Sequence, residues 1–575
     1  MSGFEAPRSS APNVPRTTAR IRSQRSTCVV EIFRYQDPTI TKLHDLNIST
    51  EQILGGAPAA TQDNLDTKNY MLIRDDVVRC TINKNKDNKG TFSVNLKKGK
   101  QRSGDLNLPG NIDYVQSVHP GDWIMIYLKK SGDIQVTQVS AATSSSGLKF
   151  LGVVENVRMV ETDDPSTGRP RAEYLITGRE FGKVFDMSLF FNPIVNQQDA
   201  ESILGAKFLK DSKNTVSVIG NSPDKVVKSL IDFYLGGSEK KVNSANEIWY
   251  IPSILARKFL PPSQIKPKGV SFIDILNKDR IGLHSYKNNV FQSAVSLPGA
   301  AVIKSLPASG EVWSILDSFK NSATNELYTE LVLDSSGKLK PSLVLRQLPF
   351  SNKSDQETNV FFQNEGDDVT DSVADSKKTF FVDLPRTKIT SSDVRHKNIG
   401  KSDHDRINYV IVVPKVDTDV YDIAYVAGSN VPSIQRYGLR VLQAQTAYVL
   451  GASSTNSGDG IKNYCKNCVN LLQDWFFTSH NLFNGSLVID GRDEFMEVGS
   501  NLYLTDSNQL FHVEGYTHNY EITPSTGDTI YNTEVRVTRG QLLIGARSKF
   551  IGASQSPNDP VTVVTNFVPN ARRKS

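Results

Sequence analysis

Cys465 and Cys468 come nearest, by type and spacing, to a chemical site in this sequence. A CxxC pair can give two thiolates to zinc, but a tetrahedral site needs about four ligands, and no second pair or histidine cluster supplies the rest. The same stretch fits another pattern. Tyr464, Cys465, Cys468, Val469, Leu472, Trp475 and Phe476 recur at i, i+3 and i+4, one face of a helix over 461–480, which makes the thiols core residues. The eight histidines are scattered apart from His512 and His518. An even spacing puts those two on one strand face, roughly 20 Å apart at strand rise, too far for a shared metal. Asp163-Asp164 and Asp403-His404-Asp405 sit beside turn residues and read as caps or solvent-facing groups. The acidic stretch 352–378 lacks the alternating ligands and turn glycine of a calcium loop and reads as an exposed loop. No GxSxG, GxxxxGK[ST], HExxH or GxGxxG motif is present. No residue is therefore assigned a catalytic, cofactor-binding or metal-binding role.

Charge points to the ends of the chain. Of the formal net +5, residues 1–27 carry +4, and Arg572, Arg573 and Lys574 carry +3, leaving −2 for the body. Arg8, Arg16, Arg20, Arg22 and Arg25 lie among Ser, Thr and Pro, a composition that buries no apolar area by itself. This basic arm either contacts an acidic surface of a partner or stays a solvated terminus. It lacks the apolar core of a secretory signal, so export by the general route is not expected. A near-neutral body argues against a dedicated nucleic-acid face. No apolar run of about 18 residues is present to span a bilayer.

The elements that would position any site repeat. Pro120-Gly121-Asp122-Trp123 and Phe150-Leu151-Gly152-Val153-Val154 precede a Pro165-Ser166-Thr167-Gly168 turn and the run Glu173–Thr177. Val498-Gly499, then Phe511-His512-Val513, precede Pro524-Ser525-Thr526-Gly527 and the run Thr533–Thr538 in the same order. Pro presets φ and Gly supplies φ > 0, so each turn is hairpin chemistry between β-rich runs. Two similar β-modules in one chain follow.

Between them the pattern changes. Strands are expected at Cys28–Phe33, Val77–Ile82, Thr91–Leu96, Trp123–Leu128, Leu151–Met159 and Glu173–Thr177, with Ser-rich Ala141–Gly147 as a hairpin tip peculiar to the first copy. Helices are expected from Ser222-Pro223-Asp224 to Tyr234, over Phe272–Leu276 and over Val312–Phe319. A hairpin is expected from Leu327–Leu333 and Ser342–Leu348, and β-structure resumes at Ile407–Val413. At 575 residues the chain has room for roughly three to five domains. They divide as a basic arm (1–27), a first β-barrel domain (28–193), a mixed α/β insert (194–380), a second barrel (381–440 and 481–548) interrupted by a connector and helix (441–480), and a tail (549–575).

These landmarks, with Ile176–Phe185, Trp313-Ser314-Ile315-Leu316, Asn325-Glu326-Leu327-Tyr328, Leu343–Phe350, Ser402–Tyr409, Tyr437-Gly438, Gly485-Ser486-Leu487 and Arg539-Gly540, resemble the baseplate hub, or tail hub, family of tailed bacteriophages. The resemblance covers about residues 28–545 and extends to the hub part of contractile secretion system spikes. It implies a mainly β fold with α+β insertions, in which two tandem tube-type β-barrels make a pseudo-hexameric ring in a homotrimer. It further implies a tail tube protein above, a spike protein below, the tape measure protein and other baseplate subunits as neighbours, and a lumen through which DNA passes unbound. Only residues 541–575 follow Gly540, so the spike is expected to be a separate chain. The location implied is the virion baseplate, assembled in the host cytoplasm. The rival readings are a peptidoglycan-degrading tail enzyme and a β-barrel carbohydrate- or nucleic-acid-binding module. The enzyme needs a recognisable carboxylate or metal site; the module predicts monomers and a strongly salt-dependent ligand affinity.

Overall fold

A computed structural model describes, in the main, residues 25–34, 70–97, 113–190, 250–278, 300–348, 386–450 and 476–550, with parts of two helices at 226–231 and 465–473. The first half contains β1 (Thr27–Phe33), β2 (Tyr70–Ile73), β3 (Val77–Asn85), β4 (Asn88–Lys97), β5 (Trp123–Lys129), β6 (Leu148–Asp163) and β7 (Pro170–Glu180). Side chains of β5 alternate between two apolar environments: Ile124, Ile126 and Leu128 face one core, Trp123, Met125 and Tyr127 another. A strand apolar at successive positions is thus buried on both faces. One face is covered by the other strands of this half, the other by the insert.

The insert supplies β8 (Ser188–Phe190), β9 (Tyr250–Ile251), β10 (Val270–Ser271), β11 (Ala300–Val302), β12 (Ser309–Glu311), β13 (Asn325–Leu333) and β14 (Leu339–Gln347), with short helices Ser253–Arg257, Phe272–Ile275 and Val312–Ser318. Phe272 stacks on Trp123 with ring centroids 5.3 Å apart, joining the insert to β5. A buried charge fixes the same contact: Glu31 on β1 accepts from Tyr70 Oη at 2.5 Å, Tyr127 Oη at 2.6 Å and Lys258 Nζ at 2.9 Å. The Ser-rich stretch is no free hairpin tip. Ala142 is buried, its amide donates to Lys258 O, and its carbonyl accepts from Leu339 N, so the loop is held on the insert.

The second half contains β15 (Arg386–Ile389), β16 (Val394–Gly400), β17 (Tyr409–Pro414), β18 (Val426–Ser429), β19 (Val441–Thr446), β20 (Tyr448–Leu450), β21 (Phe483–Asp490), β22 (Asn501–Leu504), β23 (Gln509–Ile522), β24 (Thr529–Ile544) and β25 (Lys549–Phe550). A single 14-stranded sheet runs β16-β21-β24-β23-β3-β4-β7-β6-β5-β1-β2, with β22, β15 and β25 attached beside it. The fold is therefore mainly β with α+β insertions. Among the described residues no pairing closes either half into a barrel.

Residues 409–446 depart from the sequence-based division. β17, β18 and β19 form a separate three-stranded sheet, with β19 parallel to β17 and the helix Val431–Tyr437 making the crossover that a parallel pair requires. This region was expected to be part of the second barrel and a flexible connector. Alternation reveals a strand but not its partner. Cys465, Cys468, Val469 and Leu472 are helical and buried in the main core, and burial pushes the Cys465 thiol up to about 11. The acidic stretch 352–378 lies outside the described residues.

Candidate assembly interface

The two halves correspond strand by strand. In the first, hydrogen-bonded order reads β3-β4-β7-β6-β5-β1; in the second, β16-β21-β24-β23-β22-β15. Chain order corresponds as well. One constant offset carries the β6–β7 register, Val154 opposite Gly178, onto the β23–β24 register, Val513 opposite Val537. The same offset relates one irregularity in each hairpin, a bulge between Val154 and Asn156 and between Val513 and Gly515; β23–β24 has a second, between Leu510 and His512, that β6–β7 lacks. Bulges re-aim a strand, and their recurrence at matched positions marks a shared design beyond common strand propensity. A second offset relates β3 to β16, each with a bulge against its neighbour, between Val77 and Arg79 and between Val394 and His396.

The turns entering β5 and β22 match too. Gly121 N donates to Val154 O and Val154 N to Asp122 O, both at 2.8 Å; Gly499 N donates to Val513 O at 2.8 Å and Val513 N to Ser500 O at 2.9 Å. Both glycines have positive φ, +97° and +74°. One difference stands out: β1 is antiparallel to β5, whereas β15 is parallel to β22.

The halves join at a seam. β23 lies antiparallel to β3, from Gly515 opposite Asn85 to Glu521 opposite Arg79. Strand β22 covers only the first part of β23, leaving the part beyond the bulge free to receive β3. The bulge also reverses the alternation, so Phe511 and Val513 before it share a core with Tyr516 after it. His512 and His518 consequently fall on opposite faces, not on the shared face that even spacing suggested. His512 lies near Lys86 and Asn501, His518 beside Thr533 and Tyr531. Burial, with Lys86 adding, pushes His512 down to about 3; burial holds His518 well below the ordinary range.

Buried charges sit under the seam. Lys84, opposite Tyr516, pairs with Glu180 of β7 and, at 3.1 Å, with Glu330 of β13. Lys86 lies 2.8 Å from Glu326 of β13 and 2.9 Å from Glu514 of β23. The hairpin β13–β14 bolts this cluster to the second half: Arg346 pairs with Glu326 and donates to Gly499 O at 2.8 Å, and Val498 N donates to Glu330 at 2.9 Å. Burial pushes Glu330 up to about 7, Lys84 opposing and Glu180 reinforcing. Burial also works against ionised Glu326, but Arg346 and Lys86 outweigh it and hold that carboxyl below the ordinary range. The sequence carried a signal here: Cys80, Ile82 and Lys84 follow one another on one face of β3, so a charge extends an apolar alternation, and Lys86 follows just beyond the strand's end.

No family model matches the chain, and neither does any curated protein. Among solved structures it is similar to the tail protein from Neisseria meningitidis MC58, at 14% identity over 81% of this chain and 93% of that one, with a TM-score of 0.37. It is similar to the 43 kDa tail protein of prophage MuSo2 from Shewanella oneidensis, at 8% identity over 82% and 95%, TM-score 0.36. A Francisella PdpA-VgrG complex chain gives 8% identity over 90% of this chain and 53% of that one, TM-score 0.36. Its structural neighbours thus include phage tail proteins and a chain of a PdpA-VgrG complex. Of the arginines assigned to partner binding, Arg25 is exposed just before β1, and Arg8, Arg16, Arg20 and Arg22 lie outside the described residues. No helix among the described residues is long and apolar enough to cross a membrane.

Proposed function

We propose that the chain is a non-enzymatic structural hub of a phage tail baseplate, a homotrimer that joins a hexameric tail tube to a threefold spike. One observation carries this reading: the two halves share strand order, register and bulges and are joined edge to edge by β23 and β3. A head-to-tail join between like units generates a ring when its rotation closes. One chain then contributes two successive segments, and three chains contribute six. The tail tube protein stacks on the sixfold-like face, the threefold spike binds the other, and the lumen passes DNA without specific binding. The tape measure protein and other baseplate subunits would be further neighbours, reached in part by the arm with Arg8, Arg16, Arg20, Arg22 and Arg25. The chain would be assembled in the host cytoplasm and reside in the virion baseplate.

Native mass measurement of the full chain, alone and with its spike partner, tests this. A species of three chains supports the hub. A monomer under both conditions removes it.

A further inference from the structure

The internal seam has an unfilled counterpart on each half. The equivalent of β23 beyond its bulge is β6 beyond its own, and β5 pairs only with the stretch before it, leaving one edge bare among the described pairings. The equivalent of β3 is β16, whose only described partner is β21, so it ends the large sheet. Burial follows the same division. His518 and Tyr520 on β23 and Cys80 and Ile82 on β3 are each at most 5% exposed, whereas Met159 and Val160 on β6 are 47% and 42% exposed. Strand β16 is exposed over Arg395–Asn398. An apolar pair of side chains on a bare strand edge invites another strand.

We propose that β6 beyond Asn156 pairs antiparallel with β16 of a second copy of this chain, Met159 opposite Ile399 and Glu161 opposite Lys397. The register follows from the internal seam. There His518 stands opposite Ile82 and Tyr520 opposite Cys80; the two offsets that relate the halves carry His518 to Met159, Tyr520 to Glu161, Ile82 to Ile399 and Cys80 to Lys397. Charge fits at one position. In the internal seam Arg79 on β3 pairs with Glu521 on β23 at 2.5 Å; the offsets carry that pair to His396 and Thr162, and the acid–base contact falls at Glu161 and Lys397 instead. Arg158, also exposed on β6, is set opposite Gly400, and Arg395 on β16 is already paired with Asp490. Ile399 packs against the core of its own half, so Met159 would extend that core across the joint. This inference rests on the reading of the chain as a ring-forming hub and specifies which edges close the ring.

The test uses the full chain with Met159→Cys and Ile399→Cys together. The four native cysteines are all buried and do not compete. Under mild oxidation with diamide, directly opposed cysteines link chain to chain, giving bands of two and three chains on a non-reducing gel. A register-slipped pair, Val160→Cys with Ile399→Cys, points to opposite sheet faces and does not link. A three-chain mass without the Met159/Ile399 link overturns this seam and leaves the hub standing; a persistent monomer, with or without the spike, overturns both. Charge reversal gives a second readout. Glu161→Lys is expected to raise the concentration for half-assembly about tenfold, and adding Lys397→Glu to bring it back to within about threefold. No effect of either change counts against the register.

Discussion

Arg79 and Glu521 pair at 2.5 Å across the seam although they lie 442 residues apart in sequence. Both side chains are about half exposed, so the pair marks the register more than it holds it. Exposed ion pairs contribute about 0.2–1 kcal/mol. Arg79→Ala should accordingly lower stability by no more than about 1 kcal/mol in denaturant titration.

Lys84 differs because it is buried, as are its partners. Replacing it by Met leaves Glu180 and Glu330 without their cation, and breaking a buried pair typically costs about 3–5 kcal/mol. The loss should be smaller at pH 5 than at pH 8, because Glu330, pushed up to about 7, is protonated at the lower pH and leaves one unpaired charge fewer. Chemical denaturation at the two pH values checks both size and direction. An equal loss at both would mean that packing, not charge, is what Lys84 supplies.

Gly121 and Gly499 occupy matched turns but should respond differently to Ala. At Gly121 an added Cβ meets nothing within 4 Å, so only the left-handed backbone is penalised, about 1–2 kcal/mol. At Gly499 the same atom would lie 2.4 Å from Arg346 Nη2 and 2.7 Å from Tyr328 Oη, adding an overpacking cost of about 1–3 kcal/mol. Melting temperatures of the two variants should rank Gly499→Ala clearly below Gly121→Ala.

His512 makes stability depend on acidity. Burial holds its folded-state value at about 3, against an ordinary 6.5. Between those values the unfolded chain binds the proton and the folded chain does not, so stabilisation present above pH 6.5 is lost as pH falls towards 3. His512→Gln should flatten the decline in melting temperature between pH 7 and pH 4. A variant that declines as steeply as the parent would assign the acid sensitivity elsewhere.

The repeated order of strands was legible because it is local chemistry, apolar alternation between Pro- and Gly-bearing segments; the turn residues Pro165–Gly168 and Pro524–Thr526 themselves lie outside the described residues. The seam was not. Nothing in Val77–Asn85 says that its free edge meets Tyr516–Glu521, since alternation fixes faces and not partners. The faces of His512 and His518 were misread for a related reason: Glu514 bulges, and one extra residue reverses every side chain after it. The β17–β19 sheet was missed because a parallel pairing depends on a crossover in space. Of the charges beneath the seam, only Lys84 left a trace, as a cation on an otherwise apolar face of β3.

An averaged electron-microscopy image of the assembled particle, viewed down its axis, tests most directly whether the two halves are equivalent ring units. Three chains arranged as six similar lobes around an open centre are expected. Three lobes, or a particle with no threefold axis, would contradict it.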